Sequence, residues 1–271
     1  MESRKYNVKI ERQPEAKLKF RAHASKPGIA LPNTVDLRSQ MPPVYNQGHL
    51  GSCTANAICG AFQYLIPSFM GSRLFLYYNE RKLENDIPDD SGASLADGIL
   101  CMQKYGICPE TMWPYKINKF AIAPPQQCYI NARRFKADEV QNIRQDMNSM
   151  RTSLANGFPF VVGFMVYNSF ESNSVARTGM VPMPTPADRP LGGHAVLVCG
   201  YDDTRQVWIV RNSWGASWGD KGYFYLPYDY LTNPHLSSDL WNITSSNTTI
   251  ERKIRKPMWR TQFFHKRSTG Q

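Results

Sequence analysis

The sequence has few residues of the kinds that bind metals in closely spaced sets. It contains five histidines, and its six cysteines include no CxxC pair. A structural zinc site draws its cysteine and histidine ligands from short, regular spacings, so the pattern argues against one. We therefore predict neither a metal nor an organic cofactor. The cysteines are Cys53, Cys59, Cys101, Cys108, Cys128 and Cys199.

Long apolar runs are absent as well. No window of about 18 consecutive apolar residues occurs, whereas a membrane-spanning helix needs about 20. Residues 1–7 are charged and no apolar stretch follows them, so we predict no signal peptide and no membrane span. The predicted location is therefore the cytoplasm or another reducing compartment, the interior of a virus particle included. Cys108 and Cys128 could approach one another across the proline-rich loop between them, but we expect reduced thiols in such a compartment.

Basic charge is concentrated at the two ends of the chain. The formal net charge is +10, of which residues 1–30 contribute +5 and residues 251–271 contribute +6, so the rest of the chain has −1. A nucleic-acid groove needs clustered basic charge on the folded surface. We therefore predict no nucleic-acid partner for the folded body, and a monomer. The predicted divisions are an N-terminal extension (1–30), a folded domain (31–250) and a basic C-terminal tail (251–271).

Hydrophobic periodicity changes near the middle of the chain. Helical spacing and capping residues predict helices at residues 53–66, 72–82, 94–106 and 140–155, with a proline-rich loop at 109–131. Short β-branched and aromatic segments predict strands at residues 160–166, 194–201, 207–210 and 222–226. Helices followed by antiparallel strands indicate an α+β fold of two lobes, and a cleft between the lobes is a natural ligand site.

Cys53 is the candidate nucleophile because it occupies the first position of a predicted helix. Unpaired backbone N–H groups and the positive end of the helix dipole favour an anion there. We therefore expect a lowered pKa for the Cys53 thiol and a reactive thiolate. The hydroxyls of Ser52 and Thr54 do not ionise near neutral pH and are not candidates.

A nucleophile for acyl transfer also needs a base, a group that orients the base, and donors for the developing oxyanion. Among the five histidines, only His194 opens a predicted strand. Asn212 ends a strand that is expected to pair with the His194 strand, so the two side chains should lie close together. Trp214 is expected to cover their hydrogen bond, and Gln47 supplies an amide donor shortly before Cys53.

The motifs around these residues resemble those of the papain-like cysteine peptidases, which include the cathepsins. They match in order and approximate spacing over residues 31–232. The resemblance implies a papain-like fold with a helical lobe, an antiparallel β-barrel-like lobe, and the active-site cleft between them. The motifs are Asn46-Gln-Gly48 with Gly51-Ser-Cys53, Gly193-His-Ala195 with Gly200-Tyr201, and Asn212-Ser-Trp-Gly215 with Trp218-Gly219 and Gly222-Tyr223.

The same resemblance implies a role for each candidate residue. Cys53 corresponds to the nucleophile, and His194 to the general base that later acts as the acid. Asn212 corresponds to the residue that orients the histidine, and Gln47 to the oxyanion donor. The family's substrate is a polypeptide, which is hydrolysed through a thioester acyl-enzyme.

Two departures from the family pattern bear on stability and packing. Family members usually have a disulfide whose two cysteines correspond here to Leu50 and Asp90, so both halves are missing together. That loss is expected of a chain in a reducing compartment. Thr54 replaces the aromatic residue that usually follows the nucleophile, so the packing beneath Cys53 should differ.

Substrate-binding residues are assigned by resemblance alone. Gly163 and Ala195 would leave the pocket for the residue two before the cut roomy, so we predict a hydrophobic or aromatic preference there. A long Met- and Pro-rich loop at residues 178–190 is placed to cover part of the cleft. The full predicted set is Gly92, Ala93, Ser94, Leu95, Gly163, Gly193, Ala195 and Trp214.

Three functions remain open from the sequence. The leading hypothesis is a cysteine endopeptidase, since all four catalytic residue types are present. An isopeptidase or another acyl-transfer enzyme on the same fold is the first alternative, because Cys–His–Asn geometry serves several acyl acceptors. A non-catalytic binding homologue, docked through the basic ends, is the second.

Residues 1–30 are too short for the helical propeptide that most papain-like peptidases carry. Residues 25–32 contain prolines and a glycine that favour an extended backbone, which is the form that a peptidase cleft accepts. One hypothesis is therefore a short propeptide that lies across the cleft and makes the chain a zymogen. The alternative is an unfolded leader without contact to the cleft.

Overall fold

The computed structural model describes residues 4–9 and 30–248. In this part the helices are α1 (Cys53–Leu65), α2 (Arg73–Leu83), α3 (Leu95–Lys104), α4 (Gln126–Ala132), α5 (Met147–Ala155), α6 (Asn173–Thr178) and α7 (Tyr228–Thr232). The strands are β1 (Thr34–Asp36), β2 (Ala137–Asn142), β3 (Phe160–Tyr167), β4 (Pro190–Asp202), β5 (Val207–Arg211), β6 (Tyr223–Pro227) and β7 (Ser237–Ser246). The α+β fold predicted from the sequence is confirmed.

The strands form one antiparallel sheet. Its order is β2-β7-β3-β4-β5-β6, and β1 pairs with β4 beside this path. The β3–β4 register places Phe164 opposite His194 and Gly163 opposite Ala195. β4 and β5 pair as the expected hairpin, with Leu197 opposite Arg211. The residue after Arg211 is Asn212, which brings this side chain to the same end of the sheet as His194.

Hydrophobic side chains on the two faces of the sheet enter two different cores. Ala195 and Leu197 of β4 pack with α1, α2 and α3 in the first core. Val196 and Val198 point to the opposite face and belong to the second core. This alternation follows from the period of two along a strand. Helix α1 is buried along nearly its whole length, so its first residue is held rigidly against the sheet.

Two sequence-based predictions about secondary structure need correction, and one strand was missed. The helix predicted for residues 140–155 is strand β2 followed by the shorter helix α5, because Val140 pairs with Ile243 of β7 and Asp146 caps α5 by accepting from Ser149 N–H. The predicted loop at 109–131 ends in helix α4. Strand β7 was not predicted, since its polar sequence, SSDLWNITSS, lacks a run of β-branched residues. Among the described residues, no helix has the length and hydropathy to span a bilayer.

Candidate active site

Cys53 begins helix α1 and is completely buried. The preceding loop is tied to the sheet lobe, because Gln47 N–H donates to the Ser213 carbonyl at 2.8 Å. The backbone at Ala195 and at Thr54 favours the thiolate form of Cys53. Ala195 follows His194 on β4, so the first residue of α1 and the predicted base meet at the boundary between the two lobes.

His194 and Asn212 form the hydrogen bond that the sequence predicted. His194 Nε2 lies 2.9 Å from Asn212 Oδ1, and the same oxygen accepts from Ser213 N–H at 2.8 Å. Because Oδ1 can only accept, Nε2 must carry the hydrogen, and a neutral imidazole then has its lone pair on Nδ1. Nδ1 has no hydrogen-bond partner among the described residues. It is the nitrogen available to take a proton.

Trp214 covers the His194–Asn212 hydrogen bond. The two rings are stacked, with centroids 4.9 Å apart and an interplanar angle of 23°. Asn212 is 2% exposed, and His194 is fully buried. An indole over this bond excludes water that would compete for it.

Gln47 is held in one orientation by both ends of its amide. Ser213 Oγ donates to Gln47 Oε1, and Gln47 Nε2 donates to the Leu50 carbonyl at 2.9 Å. An amide nitrogen carries two hydrogens. The bond to Leu50 uses one of them and leaves the second for another acceptor in front of the loop that leads to Cys53.

The N-terminal segment (residues 4–9) bridges the two lobes across this site. Val8 N–H donates to the Gly193 carbonyl and Lys9 N–H to the Ala93 carbonyl, each at 3.1 Å. The Tyr6 ring packs edge-on against His194 and Trp214, with centroids 6.1 Å apart in both pairs. An extended segment therefore crosses the cleft next to His194, with an isolated β-bridge between Asn7 and Gly193.

Burial favours the neutral forms of both Cys53 and His194. It raises the pKa of the Cys53 thiol to about 12, although the Ala195 hydrogen bond opposes the rise. It lowers the pKa of His194 to about 4, and the hydrogen bond to Asn212 opposes this change. The expected lowered pKa of Cys53 is wrong for this closed arrangement, because loss of water from the thiolate outweighs the field of the helix N-terminus.

The residue after the nucleophile contacts a buried acid. Thr54 Oγ1 donates to Glu80 Oε2 at 2.7 Å, and Glu80 is fully buried in α2. Burial raises the pKa of Glu80 to about 8, while the Thr54 hydrogen bond lowers it. A polar contact therefore lies beneath Cys53 in place of the usual aromatic side chain.

The residues predicted to bind substrate lie along the N-terminal segment. A Cβ added to Gly92 would fall 1.9 Å from Asn7 O, so only glycine admits the segment there. A Cβ added to Gly163 would lie 3.4 Å from Val8 Cγ1 and 4.0 Å from Leu95 Cδ1. Ser94 instead caps helix α3 by accepting from Asp97 N–H. Of the remaining members, the carbonyls of Ala93 and Gly193 accept hydrogen bonds from the segment and Trp214 contacts Tyr6, whereas Ala195 is buried in the first core.

Asp90, one of the positions without the family's cysteine, still joins the same two loops. Its Oδ1 accepts from Gly51 N–H at 3.0 Å and from Tyr77 OH at 2.6 Å. Gly51 follows Leu50, the other position without a cysteine. A carboxylate thus makes by hydrogen bonds the link that a disulfide makes elsewhere in the family.

The comparison with protein families agrees with this geometry. The protein-family sequence model described as papain family cysteine protease matches residues 31–237 of the chain. The chain belongs to this family. It is therefore a papain-like cysteine peptidase, and its reaction class is hydrolysis.

Relatives of the chain come from viruses, bacteria and animals. The uncharacterized peptidase C1-like protein L477 of Acanthamoeba polyphaga mimivirus is 43% identical over 212 residues, which are 73% of this chain and 68% of that protein. Cathepsin K of Mus musculus is 29% identical over 207 residues, which are 71% of this chain and 59% of that protein. Among solved structures, xylellain, a cysteine protease from Xylella fastidiosa, superposes with a TM-score of 0.82 at 38% identity, over 89% of this chain and 97% of that one.

Several residues of the site were not found by reasoning from the sequence. Tyr6 covers His194, and Ser213 orients Gln47. Two carboxylates, Glu84 and Glu171, pair with the N-terminal segment. Ser213 lies inside a recognised motif and was available from the sequence. Tyr6, Glu84 and Glu171 each contact a residue about 75 to 188 positions away in the chain. Sequence patterns of single helices and strands contain no information on such contacts.

Proposed function

We propose that the chain is a cysteine endopeptidase that hydrolyses peptide bonds through a thioester on Cys53. His194 is the general base and then the general acid, and Asn212 fixes its tautomer. Gln47 and the Cys53 backbone N–H stabilise the oxyanion. The observation that carries the proposal is the buried His194–Asn212 hydrogen bond, which leaves the Nδ1 lone pair of His194 for the thiol.

The chemistry proceeds in two acyl-transfer steps. In the first, the sulfur of Cys53 bonds to the substrate carbonyl carbon while the thiol proton passes to His194 Nδ1. His194 then gives that proton to the leaving amine as the C–N bond breaks, and a thioester remains. In the second, water attacks the thioester, its proton passes to His194 and then to the sulfur, and the new carboxylic acid leaves.

Two donors are available for the oxyanion. The second N–H of Gln47 is left over from the bond to Leu50, and the first N–H groups of α1 have no partner within the helix. Removal of one such donor in a peptidase costs about 100-fold to 1,000-fold in turnover. The Gln47 amide carries no charge. It can therefore stabilise the oxyanion when that forms, and it does not bind an anion before the reaction.

The test uses a chain without residues 1–30, in which the cleft is open, and compares three variants of it on an internally quenched peptide. Cys53→Ala and His194→Ala should abolish turnover, whereas Asn212→Ala should retain part of it, because Asn212 positions the base and exchanges no proton. Folding is checked by thermal unfolding. Turnover by Cys53→Ala would contradict the proposal. Failure of an epoxide-type thiol reagent to add to Cys53, as read by intact mass, would favour a non-catalytic homologue.

We further propose that the N-terminal extension is a short propeptide and the chain a zymogen. Residues 4–9 occupy the cleft, and Cys53 is inaccessible beneath them. Of the segment expected to lie there, residues 25–29 are outside the described residues, while the Pro32 carbonyl accepts from Tyr201 OH at 2.6 Å. The occluding contact therefore comes from the start of the extension.

The proposed setting is a reducing one, with the protein acting as a monomer. All six cysteines are free and buried. Asp90 provides the link between loops that a disulfide would otherwise make. The similarity to a protein of a mimivirus is consistent with packaging in a virus particle. Incubation with a reductant should leave both activity and thermal stability unchanged, and a loss of either would contradict this setting.

A further inference from the structure

One end of the cleft presents two carboxylates to a lysine. Lys9 Nζ contacts the Glu84 carboxylate and lies 3.6 Å from Asp86 Oδ2. Only 12% of the Glu84 side chain is exposed. Burial raises the pKa of this carboxyl, and the hydrogen bond and charge of Lys9 lower it. A cation at this position therefore stabilises the ionised form of Glu84.

The other end of the cleft also accepts basic side chains. Arg4 Nη1 lies 2.7 Å from Glu171 Oε2, and its guanidinium carbon lies 4.0 Å from the centroid of the Trp214 ring. Lys5 Nζ lies 2.7 Å from Asp90 Oδ2. An arginine between a carboxylate and an indole gains both an ion pair and a cation–π contact.

Between these two ends the cleft is apolar. Val8 is only 8% exposed, its Cγ1 would lie 3.4 Å from a Cβ at Gly163, and it belongs to the same hydrophobic core as Leu95. A branched aliphatic side chain fills this space. The bound segment thus presents a basic, an aliphatic and again a basic group along its length, and each group meets a surface of matching chemistry.

The order of these contacts relates them to positions in a substrate. The segment passes the catalytic histidine at Tyr6. Val8 lies on one side of that point, in the pocket assigned to the residue two before the cut. Lys9 lies one residue farther away, so the carboxylates that it contacts face the residue three before the cut. Arg4 lies on the other side of Tyr6, where the leaving group of a substrate would bind. The segment therefore runs through the cleft in the opposite chain direction to a substrate and matches it by side-chain position only.

We propose that the cleft selects polypeptides that carry a lysine or arginine three residues before the cut, a branched aliphatic residue two before it, and a basic residue on the leaving-group side. The inference rests on the proposed peptidase function and adds its substrate class. Residues 4–9 imitate the side-chain chemistry of this substrate.

The physical reason is the state of the cleft after the N-terminal segment leaves. Among the described residues, Lys9 is the sole cation within ion-pair distance of Glu84 or Asp86, and Arg4 is the sole cation paired with Glu171. Departure of the segment removes these ion pairs. Glu84 keeps the hydrogen bond from Ser94 N–H, and carboxylates without a paired cation then face the open cleft at both ends. A basic substrate restores the ion pairs, while an acidic one adds repulsion.

The experiment uses the full chain with Val8→Asp, which places a charge in the apolar pocket and releases the segment. Open sites are counted with an epoxide-type thiol reagent, and rates are expressed per open site. Three quenched peptides differ only at the third residue before the cut, which is lysine, norleucine or glutamate, with valine next to it. Mass spectrometry locates the cut.

The lysine peptide should have a kcat/KM about fivefold above the norleucine peptide and at least about tenfold above the glutamate peptide, as expected for a partly buried ion pair. Adding Glu84→Gln with Asp86→Asn should bring the lysine-to-glutamate ratio to within about twofold of one. Asp138→Asn, an exposed carboxylate on edge strand β2, should leave the ratio unchanged.

Equal rates for the lysine and glutamate peptides would overturn the inference, and so would a ratio that the Glu84 and Asp86 substitutions do not change. Either result would mean that the carboxylates serve only to hold the N-terminal segment. Absence of cleavage of all three peptides would instead contradict the proposed function, so the two failures are distinguishable.

Discussion

The substitution Val8→Asp should convert the closed form of this chain into an open one. Val8 is nearly fully buried in the cleft, and its neighbours include Leu95 and Gly163. Burying a valine side chain is worth about 2 kcal/mol, and placing a carboxylate in the same pocket costs about 1 kcal/mol or more. The combined change of about 3 kcal/mol corresponds to an increase of about 100-fold in the opening equilibrium of the segment.

Alkylation of Cys53 by iodoacetamide measures this opening. In the closed form the thiol is both covered and protonated, because burial raises its pKa to about 12. Release of the segment should therefore increase the labelling rate of Cys53 at pH 7 by up to about 100-fold. The other five cysteines are also buried, so their labelling reports any general loss of structure.

A matched control places the same charge on an exposed apolar residue. Ile130 on α4 is 47% exposed, and Ile130→Asp should leave the labelling of Cys53 unchanged. Deletion of residues 1–30 should reproduce the effect of Val8→Asp and raise peptidase activity. The contrary result is that iodoacetamide labels Cys53 of the Val8→Asp variant at a rate within about twofold of the parent, while the other cysteines stay protected. The segment would then not occlude the site.

Two further predictions concern pH and stability. In the closed form, burial favours the neutral thiol and the neutral imidazole between the pKa of His194, about 4, and that of Cys53, about 12. Opening returns water to both groups, so the thiol pKa should fall and the imidazolium pKa should rise. The kcat/KM of Val8→Asp should then be bell-shaped with a plateau that includes neutral pH, whereas a single limb rising near pH 8.5 would contradict pair formation. Asp90→Ala removes acceptors from Gly51 N–H and Tyr77 OH. That loss of about 3 kcal/mol should lower Tm by about 6–12 °C, with or without reductant, and a change below about 2 °C would contradict the role of this link.

The site residues that could be predicted from the sequence are those whose positions depend on a single element or on two elements adjacent in the chain. Cys53 could be placed at a helix start because the apolar spacing begins there and a turn-rich sequence precedes it. Asn212 could be placed near His194 because a short turn joins their strands into a hairpin. Each inference needed only neighbouring residues and the period of one element.

The parts that failed depend on distant partners. Residues 140–142 have a pattern compatible with a helix, but pairing with β7 draws them into the sheet. β7 itself is polar in sequence and is a strand because it has neighbours on both sides. The hypothesis of a plug at residues 25–32 rested on backbone stiffness alone, and residues 25–29 lie outside the described residues. Ion pairs with Glu84, Asp90 and Glu171 hold residues 4–9 in the cleft, and no property of the extension by itself reveals them.

The position of β7 in the sheet has a consequence for synthesis of the protein. β2 and β3 are neighbours in the chain but not in the sheet, since β7, which follows them by about 70 to 100 residues, lies between them. As the chain emerges from the ribosome, both strands keep an open edge until residues 237–246 are made. The cleft wall formed by β3 and β4 therefore becomes fixed only near the end of translation. By then the N-terminal segment has long been available, so a newly made molecule can close as soon as its sheet is complete.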